Sequence, residues 1–209
     1  MTAVRVKGTP IFMKSAKLTS WPSLRSMPTP AMLAEAPMGV RLPPRVAPTR
    51  RPKNRKCGSV FIADLGEYDP QGAVYIENFN HKDMSDFDTI VYGHSMLNGN
   101  MFGTLHNFSD WNFFNSYGGI VLYTPTATYY YQVFETATID DSHIFTYLDN
   151  GSYQSRASYV ERLAGYTNGF KKDGYSISPD DHILTLSTCT TDDTKRLVVF
   201  AVLVSTTTN

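Results

Sequence analysis

Cys189 and Arg196 are the first residues of this chain whose types and spacing suggest covalent chemistry. The cysteine closes the run Ile183-Leu-Thr-Leu-Ser-Thr-Cys189, which reads as a strand. A nucleophile at a strand end is held rigidly while its side chain meets solvent. Arg196 stands seven residues on, at the head of a second apolar run. A two-strand hairpin with a short loop would bring its guanidinium beside the thiol. There it could pull the thiol pKa down from about 8.5 and stabilise an oxyanion. The candidate imidazole is His94, in Tyr92-Gly93-His94-Ser95-Met96, just after another strand-like run. Gly93 is expected to give the backbone an unusual geometry before that imidazole. A cysteine paired with a histidine is the working unit of thiol acyl transfer.

Blander roles compete with this chemistry. A lone cysteine after a buried strand is more often a small apolar filler than a nucleophile. The five histidines, His81, His94, His106, His143 and His182, could all be surface residues. Cys57, beside Lys56, is a competing thiol that could itself be reactive or could pair with Cys189. Two cysteines cannot make a disulfide framework, and no CxxC or His/Cys cluster suggests zinc. Without a glycine-rich phosphate loop or an HExxH motif, nucleotide and zinc chemistry have no support. Papain-like enzymes place the cysteine before the histidine, the reverse of the order here. The Asp pairs at 140–141, 180–181 and 192–193 are spaced as turns and read as solvated loop caps rather than calcium ligands.

The elements that must position these groups are mostly strands. Short β-branched and aromatic runs bounded by Gly, Asn and Asp predict strands at residues 59–63, 73–78, 89–92, 119–123, 128–136, 182–187 and 196–205. The stretch 197–204 is apolar on both faces, so it should be central and covered. Residues 101–108 and 110–115 read as one short helical region. A second helix is expected over 152–166, with Ser152 as N-cap and Asn168-Gly169 as its stop. Tyr153, Ala157, Val160 and Ala164 fall on one face of that helix and are its expected buried side. A mainly β domain, a compact barrel or sandwich with short helices, is the fold class this implies.

Charge divides the chain in two. Residues 1–56 hold twelve Lys/Arg and a single acid, Glu35, together with nine of the twelve prolines. Residues 57–209 hold seven Lys/Arg, eighteen acids and twenty-five of the twenty-seven aromatics. The first part has too little apolar surface to offset its ordering entropy and reads as a disordered basic tail. Its acid-poor character also suits a transit peptide, and the cluster at 50–56 could touch phosphates or an anionic membrane. No aromatic is interleaved there for base stacking, so nucleic acid is not an expected partner. The longest uncharged aliphatic run, 197–204, is eight residues, short of the roughly 20 of a membrane span.

Three motifs together resemble the sortases, the cysteine transpeptidases of Gram-positive bacterial surfaces. Thr185-Leu-Ser-Thr-Cys189 is similar to their TLxTC signature. Tyr92-Gly93-His94-Ser95-Met96, followed by Met101-Phe102-Gly103-Thr104-Leu105, resembles their YGHxM…MFxxL histidine region. Lys195-Arg196-Leu197-Val198-Val199 resembles their arginine strand, and the order His, Cys, Arg agrees. A helix before the cysteine strand points to class B. The resemblance covers residues 57–209, which divides the chain into a basic 1–56 segment, disordered or aberrant, and a catalytic domain.

The resemblance implies a sortase-like closed β-barrel, missing or distorted at its first strands. It implies that Cys189 attacks a threonine carbonyl within a C-terminal sorting motif to form a thioacyl-enzyme. His94 would protonate the departing amine and deprotonate the incoming one, and Arg196 would hold the substrate backbone and the oxyanion. Ser187 would line the substrate groove, and residues 138–169 would choose the motif. The partners implied are the sorting-signal peptide and an amine of a peptidoglycan cross-bridge or a pilin lysine. The enzyme implied is a monomer on the outer face of the membrane. Two departures stand out. The step from Cys189 to Arg196 is seven residues where eight or more are expected, which could shift Arg196 in register. The family's first strand begins at Val6-Lys7-Gly8-Thr9-Pro10-Ile11, breaks off, and resumes only at Gly58-Ser59-Val60-Phe61. Residues 12–52 therefore read as foreign to the family, as a frameshift would leave them, and the family's membrane anchor is not seen. The competing reading is an inactive sortase-fold remnant, or a peptide-binding β-domain with a basic tail.

Overall fold

The computed structural model describes residues 11–17, 39–42, 74–77, 79–81, 83–96, 101–124, 126–141 and 148–208. Within them the strands are β1 (Ile11–Lys17), β2 (Gly39–Leu42), β3 (Tyr75–Ile76), β4 (Asp88–Tyr92), β5 (Tyr117–Tyr123), β6 (Ala127–Asp140), β7 (Ile183–Cys189) and β8 (Lys195–Thr208). A 3-10 helix (Gly103–Ser109) and the short helix α1 (Trp111–Ser116) follow β4, and α2 (Tyr153–Ala164) follows β6. All eight strands join one sheet in the order β2-β1-β5-β6-β8-β7-β4-β3. The β4–β7 pair is parallel and the other pairs are antiparallel. No pairing closes β3 onto β2 among the described residues, so the barrel expected from the sequence is here a sheet with two ends.

β8 is the spine of this sheet. It lies between β6 and β7, and Arg196 to Val202 are all buried. That is why residues 197–204 read as continuously apolar: a strand covered on both faces has no polar side to alternate with. Its side chains still alternate between two cores. Leu197, Val199 and Ala201 meet Leu184, Leu186, Phe102, Leu105, Phe108 and Phe114 on one face. Val198, Phe200 and Val202 meet Ile90, Ile183 and the helix residues Tyr159 and Leu163 on the other.

α2 begins where expected. The Ser152 side chain accepts from the Ser155 N–H, capping the first turn. It ends earlier than expected, at Gly165 rather than Asn168-Gly169. Its buried face also differs from the one read off the sequence. Tyr159 and Leu163 are buried and the expected Val160 packs against the same core, whereas Tyr153 is 57% exposed and Ala164 lies on the outer side. The larger side chains decide this, because Tyr159 and Leu163 bury more apolar area than the alanines of the expected stripe. The Tyr159 hydroxyl keeps a partner when buried, donating to Asp88 Oδ2 at 3.0 Å.

The strand expected at 59–63 and most of residues 1–56 lie outside the described residues. From that first segment β1 and β2 are described, β1 pairing with β5 as Phe12 to Tyr123 and Met13 to Leu122. The division at residue 56, and the reading of 12–52 as foreign, remain expectations of the sequence.

Candidate active site

Three strand ends converge at one end of the sheet. In the β7–β8 hairpin Cys189 is registered directly opposite Arg196. The step of seven residues therefore does not displace the arginine; it makes the two a cross-strand pair. Arg196 Nη1 lies 3.7 Å from Cys189 Sγ, and both residues are 6% exposed. On the other side of β7, the parallel register pairs Tyr92 with Ser187. Gly93 N–H donates to Ser187 O at 3.1 Å and Thr188 Oγ1 donates to Gly93 O at 2.9 Å. His94 follows Gly93, so its loop is hydrogen-bonded to β7 at Ser187 and Thr188, next to Cys189 in sequence. Burial holds the His94 imidazole below its usual pKa.

Alternation puts the groups on one face. Thr185, Ser187 and Cys189 share the β7 face that Ile183 turns toward α2, and Arg196 shares the β8 face of Val198 and Phe200. α2 covers the lower part of this face. Ser187 is placed one register step from Cys189, beside Tyr92 and Val198, and is 2% exposed.

Two glycines fix the histidine loop by close approach. Gly93 does not have a positive φ, so its expected backbone role is not the reason for it. A Cβ there would lie 2.4 Å from the Phe102 ring, which packs against the Gly93 backbone. A Cβ at Gly103 would lie 2.2 Å from Met96 O. Phe102 N–H donates to His94 O at 2.9 Å, and Ser95 bridges to Met101, whose φ is 54°. The MFxxL part of the histidine region is thus the floor on which the His94 backbone rests.

Two further residues enter the site that sequence reasoning did not select. Asp141, read as a loop cap, accepts from Arg196 Nε at 2.8 Å, and its own N–H donates to Thr194 O at 2.8 Å. The neighbouring Asp140 pairs with Lys195. A turn-like DD pair gives no hint of this, because the pairing arises only when β6 and β8 align. His106, on the 3-10 helix, lies with Nε2 3.0 Å from Ser95 Oγ and 3.0 Å from Cys189 O. The other described histidines stand elsewhere: His81 pairs with Asp86 at 2.8 Å and His182 Nδ1 donates to Asp86 O at 2.8 Å. His143 lies outside the described residues.

Cys189 is disulfide-bonded in this structure. Cys57, the chain's other cysteine and the competing thiol, lies outside the described residues. Among the described residues no group of three His, Cys, Asp or Glu side chains is arranged to hold a metal ion. What the arrangement can do is thiol chemistry: once reduced, Cys189 has a cation against its sulfur, and the loop that bears His94 is hydrogen-bonded to the same strand.

A sequence model of the sortase domain matches residues 63–204. Sortase B of Listeria monocytogenes is 27% identical over 124 residues, 58% of this chain and 48% of that protein. The chain thus spans about half the length of the curated relatives it matches. Among solved structures, sortase B of Bacillus anthracis is similar at 31% identity with a TM-score of 0.60, over 68% of this chain and 66% of that one. Sortase B of Clostridium perfringens has the same fold at 19% identity, with a TM-score of 0.69 over 94% of each chain. With well over half its length matched by the domain model, the chain belongs to the sortase family, and the relatives it resembles there are of class B.

Proposed function

We propose that the protein is a cysteine transpeptidase that cleaves a C-terminal sorting motif after threonine and transfers the acyl group to an amine. The observation that carries this is the cross-strand pair of Cys189 and Arg196, with Nη1 3.7 Å from Sγ, while the loop that bears His94 is tied to the same β7 strand through Gly93. The guanidinium favours the thiolate by direct charge interaction. His94, held below its usual pKa by burial, is mostly neutral near pH 7 and accepts the thiol proton.

The thiolate then adds to the threonine carbonyl, and the oxyanion is stabilised by the fixed charge of Arg196. Collapse breaks the C–N bond, and His94 returns its proton to the departing amine. The threonine acyl group is left on Cys189 as a thioester, which stores the reactivity of the cleaved amide, so no cofactor is required. An incoming amine gives its proton to His94, attacks the thioester carbonyl and expels the Cys189 thiolate. The accepting amine is that of a peptidoglycan cross-bridge or a pilin lysine, and the reaction belongs on the outer face of the membrane.

The test is turnover by the reduced full chain on a pool of threonine-containing sorting-motif peptides, with hydroxylamine as the accepting amine. The expected product is a peptide ending in threonine hydroxamate. Its formation should be abolished by Cys189→Ala and reduced at least about a hundredfold by His94→Ala or Arg196→Ala. Hydroxamate formation that persists at the wild-type rate in Cys189→Ala would refute the reading.

A further inference from the structure

We propose that His106 is a positioning residue that ties the nucleophile strand to the catalytic histidine loop, an inference that rests on the transpeptidase reading above. The backbone geometry carries it. In β7 the carbonyls of residues two apart point to the same edge. Ser187 O points toward β4 and accepts from Gly93 N–H at 3.1 Å. Cys189 O, two residues on, points to the same edge, but β4 has ended at Tyr92 and offers no further strand donor. His106 Nε2 takes that place at 3.0 Å. An imidazole from another element thus extends the sheet ladder by one bond, at the residue that bears the nucleophile.

The same nitrogen reaches the histidine loop. Ser95 Oγ, on the residue after His94, is also 3.0 Å from His106 Nε2. A carbonyl can only accept, so the bond to Cys189 requires the proton on Nε2. Ser95 Oγ then shares that hydrogen as a second acceptor, and its own O–H is left to donate elsewhere. One N–H therefore joins the end of β7, the His94 loop and the 3-10 helix.

The helix is a firm base for this contact. Leu105 and Phe108 flank His106 and are 4% and 1% exposed, and Gly103 abuts Met96 O. The bond also sets the peptide that follows the nucleophile. That peptide is planar and trans, so holding Cys189 O toward His106 turns the Thr190 N–H to the opposite side. Without the bond, this plane and the loop that bears His94 and Ser95 lose a shared restraint.

The experiment is the rate at which iodoacetamide alkylates Cys189 in the reduced full chain at pH 7, located by peptide mass spectrometry. Wild type, His106→Leu and His106→Gln are compared, each also in guanidinium. Leucine keeps apolar bulk and removes the donor; glutamine keeps an N–H donor near the position of Nε2. Folded wild type should react faster than denatured chain, His106→Leu should be slower by about fivefold, and His106→Gln should lie within about twofold of wild type. Melting temperatures of the variants identify any that fail to fold, and rescue by glutamine alone separates a donor role from simple packing. A His106→Leu variant that folds and reacts like wild type overturns the proposal while leaving the transpeptidase reading intact. Wild-type Cys189 reacting no faster folded than denatured overturns that reading, and the proposal with it.

Discussion

At the scale of single residues, the site is organised around one guanidinium that serves two neighbours. Asp141 accepts from its Nε at 2.8 Å, while Nη1 faces Cys189 Sγ. Charge-assisted bonds of this kind fix orientation as well as energy. Asp141 directly follows β6, so the arginine is aimed from the end of that strand. Asp141→Asn should therefore lower hydroxamate formation by about tenfold with little change in melting temperature, and Asp141→Glu should recover part of it. Activity within twofold of wild type in Asp141→Asn would show that Arg196 is aimed without it. The meeting of Cys189 and Arg196 was legible in the sequence, because a seven-residue step between two strand-like runs implies a hairpin. Asp141 and His106 were not, because their roles depend on distant segments: residues 141 and 196 meet across two strands, and His106 reaches a carbonyl 83 positions away.

At the scale of elements, α2 is held to the sheet by a buried carboxylate. Asp88 is fully buried and accepts from Thr185 Oγ1 at 2.8 Å and from the Tyr159 hydroxyl at 3.0 Å. Desolvation pushes its pKa up to about 7 despite those donors. Buried Glu135, 3.4 Å from Lys171, is pushed up to about 7 as well. For an acid whose pKa is raised by folding, the stabilising contribution is fully present below its unfolded pKa, about 4, and is lost as pH rises through the folded value. The melting temperature should thus fall between pH 5.5 and pH 8 by on the order of 5 °C, and Asp88→Asn should remove much of that fall. A melting temperature that is flat or rising over this range, and unchanged in slope by Asp88→Asn, would contradict the assignment. The helix itself was legible from its cap and its length. Its buried face was not, because spacing alone gave alanines the same weight as Tyr159 and Leu163, and the partner that admits a buried tyrosine hydroxyl lies 71 residues away.

For the whole molecule, the balance of nineteen basic and nineteen acidic residues conceals a basic N-terminal part and an acidic remainder. The sortase domain match lies within the acidic remainder, at residues 63–204. The strands there were legible in outline, and so was the covered place of β8, since runs that alternate or stay apolar report directly on one or two covered faces. The pairing of β4 with β7 in parallel was not, because nothing local distinguishes a parallel neighbour from an antiparallel one; yet that pair is what brings the Gly93–His94 loop to the end of β7. Transpeptidation through a thioester requires that Cys189 become acylated. The most direct measurement is the intact mass of the reduced full chain after incubation with the threonine-containing peptide pool and no added amine. The expected result is a mass gain equal to the peptide fragment ending in threonine less one water, mapped to Cys189, absent in Cys189→Ala and removed by hydroxylamine. A folded, reduced wild-type chain that gains no such mass, or one that gains it at any other residue, would contradict it.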